Sequence, residues 1–238
     1  MRNNSPINEP ASEPKIRVRI FQVVLQIAFT GVLLFAAAGT LAWFWGWAYM
    51  ALAVLSMLVN AWVLLRYNPQ VVAERAATKA GGKAWDKLLV VLFATFSVPG
   101  LMLVAGLDHR FGWTSPYALF IHGVGLILFI LSGALFLWAM VVNTYFSTDV
   151  RIQVDRGHAV ISNGPYRFVR HPGYVGLIGG LLAQPLLLGS LWALVPGFLA
   201  MVILLVRTAL EDKALQAELE GYRHYAQQTP YRLFPGIW

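Results

Sequence analysis

The stretch YVGLIGGLLAQPLLLGSLWALVPGFLAMVILLV, Tyr174–Val206, decides the fold of this chain. It runs for 33 residues without a charge, whereas one helix needs roughly 20 apolar residues to cross a bilayer. Pro185 and the Gly189-Ser190 pair interrupt it near the middle, which predicts a helical hairpin rather than a single span. Working outward, four further apolar runs precede it: Val18–Leu41, Trp47–Leu65, Leu88–Leu107 and Tyr117–Val142. The expected fold is therefore an all-α, polytopic membrane helix bundle, with four long transmembrane helices, a C-terminal hairpin and a polar cap at one end.

Composition agrees with that class. The chain of 238 residues is 58% hydrophobic and 12% charged, about half the charged fraction usual in soluble domains. Three parts follow: residues 1–17 as a disordered polar tail, 18–142 as the four spans, and 143–238 as a loop, the hairpin and a C-terminal segment. The first run is too long for a signal-peptide core and leads into no small-x-small cleavage site. Basic residues sit before the first span (Arg2, Lys15, Arg17, Arg19), between the second and third (Arg66, Arg75, Lys79, Lys83, Lys87), between the fourth and the hairpin (Arg151, Arg156, Arg167, Arg170), and after it (Arg207, Lys213, Arg223, Arg232). Arg110 alone falls on the other side. By the positive-inside rule both termini and the cap are expected in the cytoplasm, and only a hairpin, with its even number of crossings, keeps the C-terminal segment there.

Several functions are disfavoured. The net charge of +7 is spread over membrane-flanking loops, where anionic lipid head groups account for it better than nucleic acid does. With no cysteine, the chain has no disulfide, thiolate ligand or cysteine nucleophile. His109, His122, His158, His171 and His224 lack metal-ligand spacing, so no metal is expected. There is neither a GxGxxG nor a GxxxxGK[ST] run. His122 stands alone within the fourth run, a functional candidate by default, but it reads as a packing hydrogen bond.

Chemistry is instead concentrated in two polar segments. The first, from Asn143, contains Gln153 and His158-Ala159-Val160-Ile161. It ends in Gly164-Pro165-Tyr166-Arg167-Phe168-Val169-Arg170-His171-Pro172-Gly173-Tyr174-Val175-Gly176, a dense set of rings, cations and turn formers at a helix mouth. Pro172 suits the first turn of a helix. That turn's free N–H groups, with Arg170 and His171, would favour an anion, while Tyr166 and Tyr174 offer ring faces for a purine or a sulfonium. A zwitterionic, adenine-bearing sulfonium needs such an anion site beside such rings. The second segment follows Val206. Arg207 and Glu211, four residues apart, share a helix face; Glu211 can hold an ammonium and Arg207 an acceptor carboxylate or phosphate. Phe234 and Trp238 are expected as aromatic anchors at the membrane surface. Each feature also has a plainer reading: His158 as a solvated loop histidine, the tyrosines as interfacial belt residues, and Arg207 with Glu211 as a surface ion pair.

The run Gly164-Pro165-Tyr166…Arg170-His171-Pro172-Gly173-Tyr174…Gly176 resembles the signature of the isoprenylcysteine carboxyl methyltransferase and phospholipid methyltransferase superfamily. Glu211-Asp212, Tyr222…Tyr225 and Pro230-Tyr231-Arg232…Phe234-Pro235-Gly236 are similar to its C-terminal block. The resemblance implies S-adenosylmethionine as cofactor, contacted by Gln153, His158 to Ile161, Tyr166 and His171 to Tyr174, with Glu211 at its methionine end. Arg207 would face the acceptor, and Arg207 and His171 are the catalytic candidates. The implied reaction is methyl transfer to a lipophilic acceptor entering from the bilayer of, by the same resemblance, a bacterial inner membrane. The subfamily name implies an isoprenylcysteine-type carboxylate; an ethanolamine head group or a small thiol would also fit. Two other classes stay open: an NADPH-dependent membrane reductase and a non-enzymatic membrane protein. The chain has Glu211-Asp212 where the family often has two glutamates, Glu220-Gly221 where it has a glycine-rich pair, and a short Gln153–His158 spacing.

Overall fold

The computed structural model describes residues 13–76, 82–116 and 119–238. Residues 1–12 of the expected tail lie outside these, whereas Glu13–Arg17 form the first turns of a helix. The described residues fold into helices without a strand: α1 (Glu13–Ala38), α2 (Phe44–Tyr67), α3 (Pro69–Ala76), α4 (Ala84–Thr95), α5 (Leu101–Phe111), α6 (Leu119–Val142), α7 (Pro172–Leu188), α8 (Leu194–Glu218) and α9 (Tyr222–Gln228). Among the described residues five stretches are long and apolar enough to cross a membrane: Ile20–Ala38, Phe44–Tyr67, Ala84–Phe111, Leu119–Val142 and Leu194–Glu218. Their outer faces carry bare apolar side chains such as Phe21, Trp62, Leu119 and Phe120. A bilayer, not the protein, covers these faces.

The third span is α4 and α5 joined by a π-helical turn, Phe96–Gly100, with Pro99 inside it. Proline offers no N–H and crowds the preceding turn, and the wider turn absorbs that local defect without breaking the span.

The hairpin is real but asymmetric. Pro185 lies within α7 and does not end it. The stop is Gly189, in the left-handed region at φ 75°, where Ser190 N–H reaches back to the Pro185 carbonyl at 3.0 Å in a glycine-terminated cap. The second arm is the longer one: α8 has 25 residues, about 37 Å at 1.5 Å per residue. It therefore runs unbroken from the hairpin turn through Arg207 and Glu211.

Within the bundle α7 packs most extensively on α6. Without water to drive helices together in lipid, close packing must do so, and small residues permit it. A Cβ on Gly125 would lie 2.5 Å from the Leu187 backbone nitrogen, and one on Gly176 2.8 Å from the Ser132 carbonyl. At the far end, Asp108 accepts bonds from Thr114 N (2.7 Å), Thr114 Oγ1 (2.6 Å) and Ser190 Oγ (2.5 Å). His122 Nδ1 meets the Leu187 carbonyl at 2.9 Å, and its ring stacks on Trp45, so this intramembrane histidine does pack by a hydrogen bond. These contacts place the hairpin turn beside the far ends of α5 and α6, so α7 and α8 run the depth of the bundle. The loops after α2 and α6 and the segment after α8 gather at the opposite end: Asn68 Nδ2 binds the Met140 carbonyl at 2.8 Å, and Lys83 pairs with Glu218 at 2.6 Å.

Candidate functional site

The loop after α6 has little regular structure, two short 3-10 turns at Val154–Arg156 and Gly164–Arg167. It is shaped by polar contacts from other elements. Arg151 binds Glu74 of α3 at 2.9 Å and Asp155 at 2.9 Å, and Arg156 binds Glu74 at 3.4 Å. Both backbone groups of Val150 are held at the start of α4, its carbonyl accepting from Lys83 N at 3.1 Å and its N–H donating to the Asp86 carboxylate Oδ2 at 2.7 Å. The loop thus folds back over the ends of α7 and α8 as a cap, with a cavity beneath it that is partly open to solvent.

Gln153, His158, Ala159, Val160, Ile161, Tyr166, His171, Gly173, Tyr174, Arg207 and Glu211 all line this one cavity. Pro172 does not, being buried at the first position of α7. Their states differ. Gln153 is buried and its amide is engaged at both ends, donating to the Tyr145 carbonyl and accepting from Arg156, each at 2.6 Å; its side chain shapes the loop. Tyr166 accepts from Asn143 Nδ2 at 3.1 Å, and its carbonyl takes the Tyr225 hydroxyl at 2.6 Å. Its ring forms a wall with Ala139, Leu219, Tyr222 and Tyr225. Burial raises the phenol pKa of Tyr166, Tyr222 and Tyr225 above the ordinary value, so the wall is neutral. His158 lies against Tyr145, and its Nδ1 accepts the Gln153 N–H at 3.3 Å. Burial first, then Arg151 and Arg156, push its pKa below the ordinary histidine value. A neutral ring with the proton on Nε2 results.

The cationic part of the expected anion site is corrected by the structure. Arg170 is buried and spent on protein: Nε and Nη2 grip Asp212 at 2.7 and 3.1 Å, and Nη1 donates to the carbonyls of Thr229 and Pro230, both at 2.8 Å. Asp212 is wholly buried and also accepts from Arg232 (2.9 Å), Gln216 (2.7 Å) and Tyr222 Oη (3.1 Å). His171 Nε2 lies 3.5 Å from it. The N–H groups of Arg170 and His171 bond the carbonyls of Tyr231 and Arg232, both at 3.0 Å. Together these strap the C-terminal segment across the start of α7, and Phe234 and Trp238 pack with Leu233 beside Ile178 and Leu204. Adjacent residues on a helix point apart, so Asp212 faces the strap and Glu211 the cavity.

Arg207 and Glu211 share a face, yet each takes a different partner. Glu211 accepts from the Tyr174 hydroxyl, while Tyr174 stacks on His171 with 5.6 Å between centroids. Arg207 forks onto Asp86, Nε to Oδ1 at 2.7 Å and Nη2 to Oδ2 at 3.1 Å, and Nη2 also donates to the Thr148 carbonyl at 2.6 Å. Arg207 Cζ is 5.7 Å from the Tyr174 ring centroid. Its Nη1 is left without a hydrogen-bond partner among the described residues. One carboxylate and one guanidinium edge therefore sit a helical turn apart on α8 beside an aromatic wall.

Sequence reading missed Asp86, Glu74 and the part played by Asp212. For Asp212 a signal existed, the acidic neighbour of Glu211. Asp86 showed only as a lone acid between Lys83 and Lys87 at the head of an apolar run.

Residues 125–217 match the model of the isoprenylcysteine carboxyl methyltransferase (ICMT) family. The matched segment takes in most of α6, the cap, α7 and nearly all of α8; Glu74, Asp86 and the strap from Tyr222 onward lie outside it. No curated protein matches the chain.

Proposed function

We propose a specific chemistry for a chain whose residues 125–217 match the isoprenylcysteine carboxyl methyltransferase family: S-adenosylmethionine binds beneath the cap, and its methyl group passes to an acceptor held in the bilayer. The family match and the five membrane-length helices among the described residues support an integral membrane methyltransferase. The finer reading is carried by one observation: Glu211 and Arg207, whose Nη1 has no hydrogen-bond partner among the described residues, line the same cavity.

The donor set fits the cofactor. Glu211, oriented by Tyr174, offers an anion to the ammonium of the methionine end, and the Tyr166, Tyr222 and Tyr225 wall with His158 offers ring surface to an adenine. Arg170 is not available to the cofactor carboxylate, and no part of the proposal uses it. Bound there, the cofactor supplies a methyl group already activated as a sulfonium, so the chain needs no nucleophile of its own. Its residues align the partners and exclude water. Arg207 Nη1 would hold the oxygen of an isoprenylcysteine-type carboxylate, whose lone pair forms the new C–O bond as the C–S bond breaks and its electron pair returns to sulfur. No proton moves. An ethanolamine amine, by contrast, would have to lose one, and a thiol would first ionise. Basic residues collected at the cap end support a cytoplasmic site, as in a bacterial inner membrane.

Calorimetry on detergent-solubilised protein with S-adenosylhomocysteine and, separately, NADPH tests the cofactor. Binding of the former is expected; binding of NADPH alone overturns the proposal in favour of a reductase. Labelled methyl transfer into a prenylcysteine analogue, an ethanolamine lipid and a small thiol, run in parallel, identifies the acceptor, with label expected in a base-labile ester.

A further inference from the structure

We infer that Asp86 positions Arg207 and limits how strongly that cation holds an anionic acceptor. The inference rests on the reading above, in which Arg207 faces the acceptor. Asp86 sits in the first turn of α4 at 1% exposure, outside the segment matched to the family. Its Oδ1 takes Arg207 Nε, and its Oδ2 takes both Arg207 Nη2 and the Val150 N–H. With the Thr148 carbonyl on Nη2, both ends of the Nε–Nη2 edge are fixed. The guanidinium cannot rotate, and only Nη1 remains to address the cavity. Asp86 itself does not line the cavity, so it acts through Arg207 and is a positioning residue.

The charge of Asp86 matters as much as its geometry. Methyl transfer from a sulfonium to a carboxylate consumes a positive and a negative charge together, leaving a neutral ester and a neutral thioether. The acceptor's charge is therefore largest in the ground state and falls in the transition state. A full, uncompensated Arg207 cation would favour the ground state, tightening binding while slowing reaction. Asp86 balances that cation, keeping its hydrogen-bonding edge while weakening its field. The pair suits an anionic acceptor that must be bound, discharged and released.

Asp86→Asn separates this role from a structural one. The probe is N-acetyl-S-farnesylcysteine, bound in the presence of S-adenosylhomocysteine so that no transfer can occur. Its Kd is expected to fall by about fivefold, because the freed Arg207 charge now acts on the carboxylate. In turnover assays kcat should fall about threefold, less than the gain in binding because the transition state keeps part of the acceptor's charge, while affinity for S-adenosylhomocysteine alone stays within about twofold. Acceptor binding that weakens in step with kcat, or that stays unchanged, overturns the inference. Should Asp86→Asn lose S-adenosylhomocysteine binding, the Asp86→Asn/Arg207→Gln double variant decides, since it buries no unpaired charge. Its acceptor Kd should lie below that of Arg207→Gln alone, in which the unbalanced Asp86 charge repels the acceptor carboxylate; equal values overturn the inference. Wild-type protein that binds no S-adenosylhomocysteine overturns the functional reading and this inference with it, whereas wild-type binding without the split in Asp86→Asn overturns the inference alone.

Discussion

Two arginine–aspartate forks stand at the same end of the bundle and have nearly the same geometry. In both, Nε and Nη2 of the arginine meet the two carboxylate oxygens at 2.7 and 3.1 Å. They differ in what surrounds them. Around Arg170 and Asp212 the third arginine nitrogen is bonded too, and the aspartate also serves Arg232, Gln216 and Tyr222. Both arginines line the cavity, but around Arg207 and Asp86 the nitrogen Nη1 has no hydrogen-bond partner among the described residues. A buried charge cluster that only joins segments gains by using every donor, because an unsatisfied one costs free energy. One that receives a ligand must keep a donor in reserve. On this comparison the Asp212 fork is a fastening and the Asp86 fork is part of the site.

The sharpest way to break the comparison is Asp212→Ala. It would leave Arg170 buried without a counter-charge and release Arg232, a loss expected to cost about 3–5 kcal/mol. The expected result is a large fall in the Tm of solubilised protein together with loss of S-adenosylhomocysteine binding, since the strap and the start of α7 separate. A variant with normal Tm and weakened binding would instead make Asp212 a ligand-contacting residue. Glu211→Gln, next to it on the helix, should do the reverse. Its partner is the Tyr174 hydroxyl, which a neutral amide can still satisfy, so Tm should hardly move while S-adenosylhomocysteine affinity falls about tenfold or more, a charge-assisted bond having become a neutral one.

A milder test uses the far end of the bundle, where Asp108 is held by two hydroxyls and a backbone N–H. Ser190→Ala removes one bond to a carboxylate and the acceptor for Ala193 N, for about 2 kcal/mol. Tm should drop while S-adenosylhomocysteine affinity stays put, because the hairpin turn lies a full helix length from the cavity. A parallel loss of affinity would mean that the hairpin turn and the cap are coupled, and the division between fastening and site would then fail.

How much of this the sequence disclosed follows from where the partners lie. The spans were legible because a bilayer imposes its demand locally, on every residue of a run. The hairpin was legible too, but its stop was assigned partly to Pro185, which a packed membrane helix tolerates; the left-handed glycine after it is what ends α7. The cavity-lining residues could be named because they cluster in two short segments. Their charge partners could not. Arg207 finds Asp86 at a sequence distance of 121 residues, and Arg170 finds the Thr229 carbonyl at 59, separations that no periodicity or motif encodes. Arg170 and Arg207 both flank the apolar run of Tyr174–Val206, and only the fold tells the one whose three nitrogens are all bonded from the one that keeps a donor.

The smallest expected effect concerns His158, and its sign comes from the direction of its shift. Its folded pKa lies below the ordinary histidine value because burial and then Arg151 and Arg156 disfavour the charged ring. The unfolded chain therefore binds more protons than the folded one, and stability rises with pH through this range. The contribution is complete above the ordinary value of about 6.5 and is lost as pH falls below it toward the folded value. Protonation would also remove Nδ1 as acceptor for Gln153 N–H and set a third cation beside two arginines, loosening the cap. S-adenosylhomocysteine affinity should accordingly weaken as pH is lowered from about 7 to about 5, by more in the wild type than in His158→Gln, which has no proton to gain. Equal pH dependence in the two proteins would show that His158 only fills space in the cap. The Asp86 fork, holding Val150 from the other side of the loop, would then keep the cap closed without it.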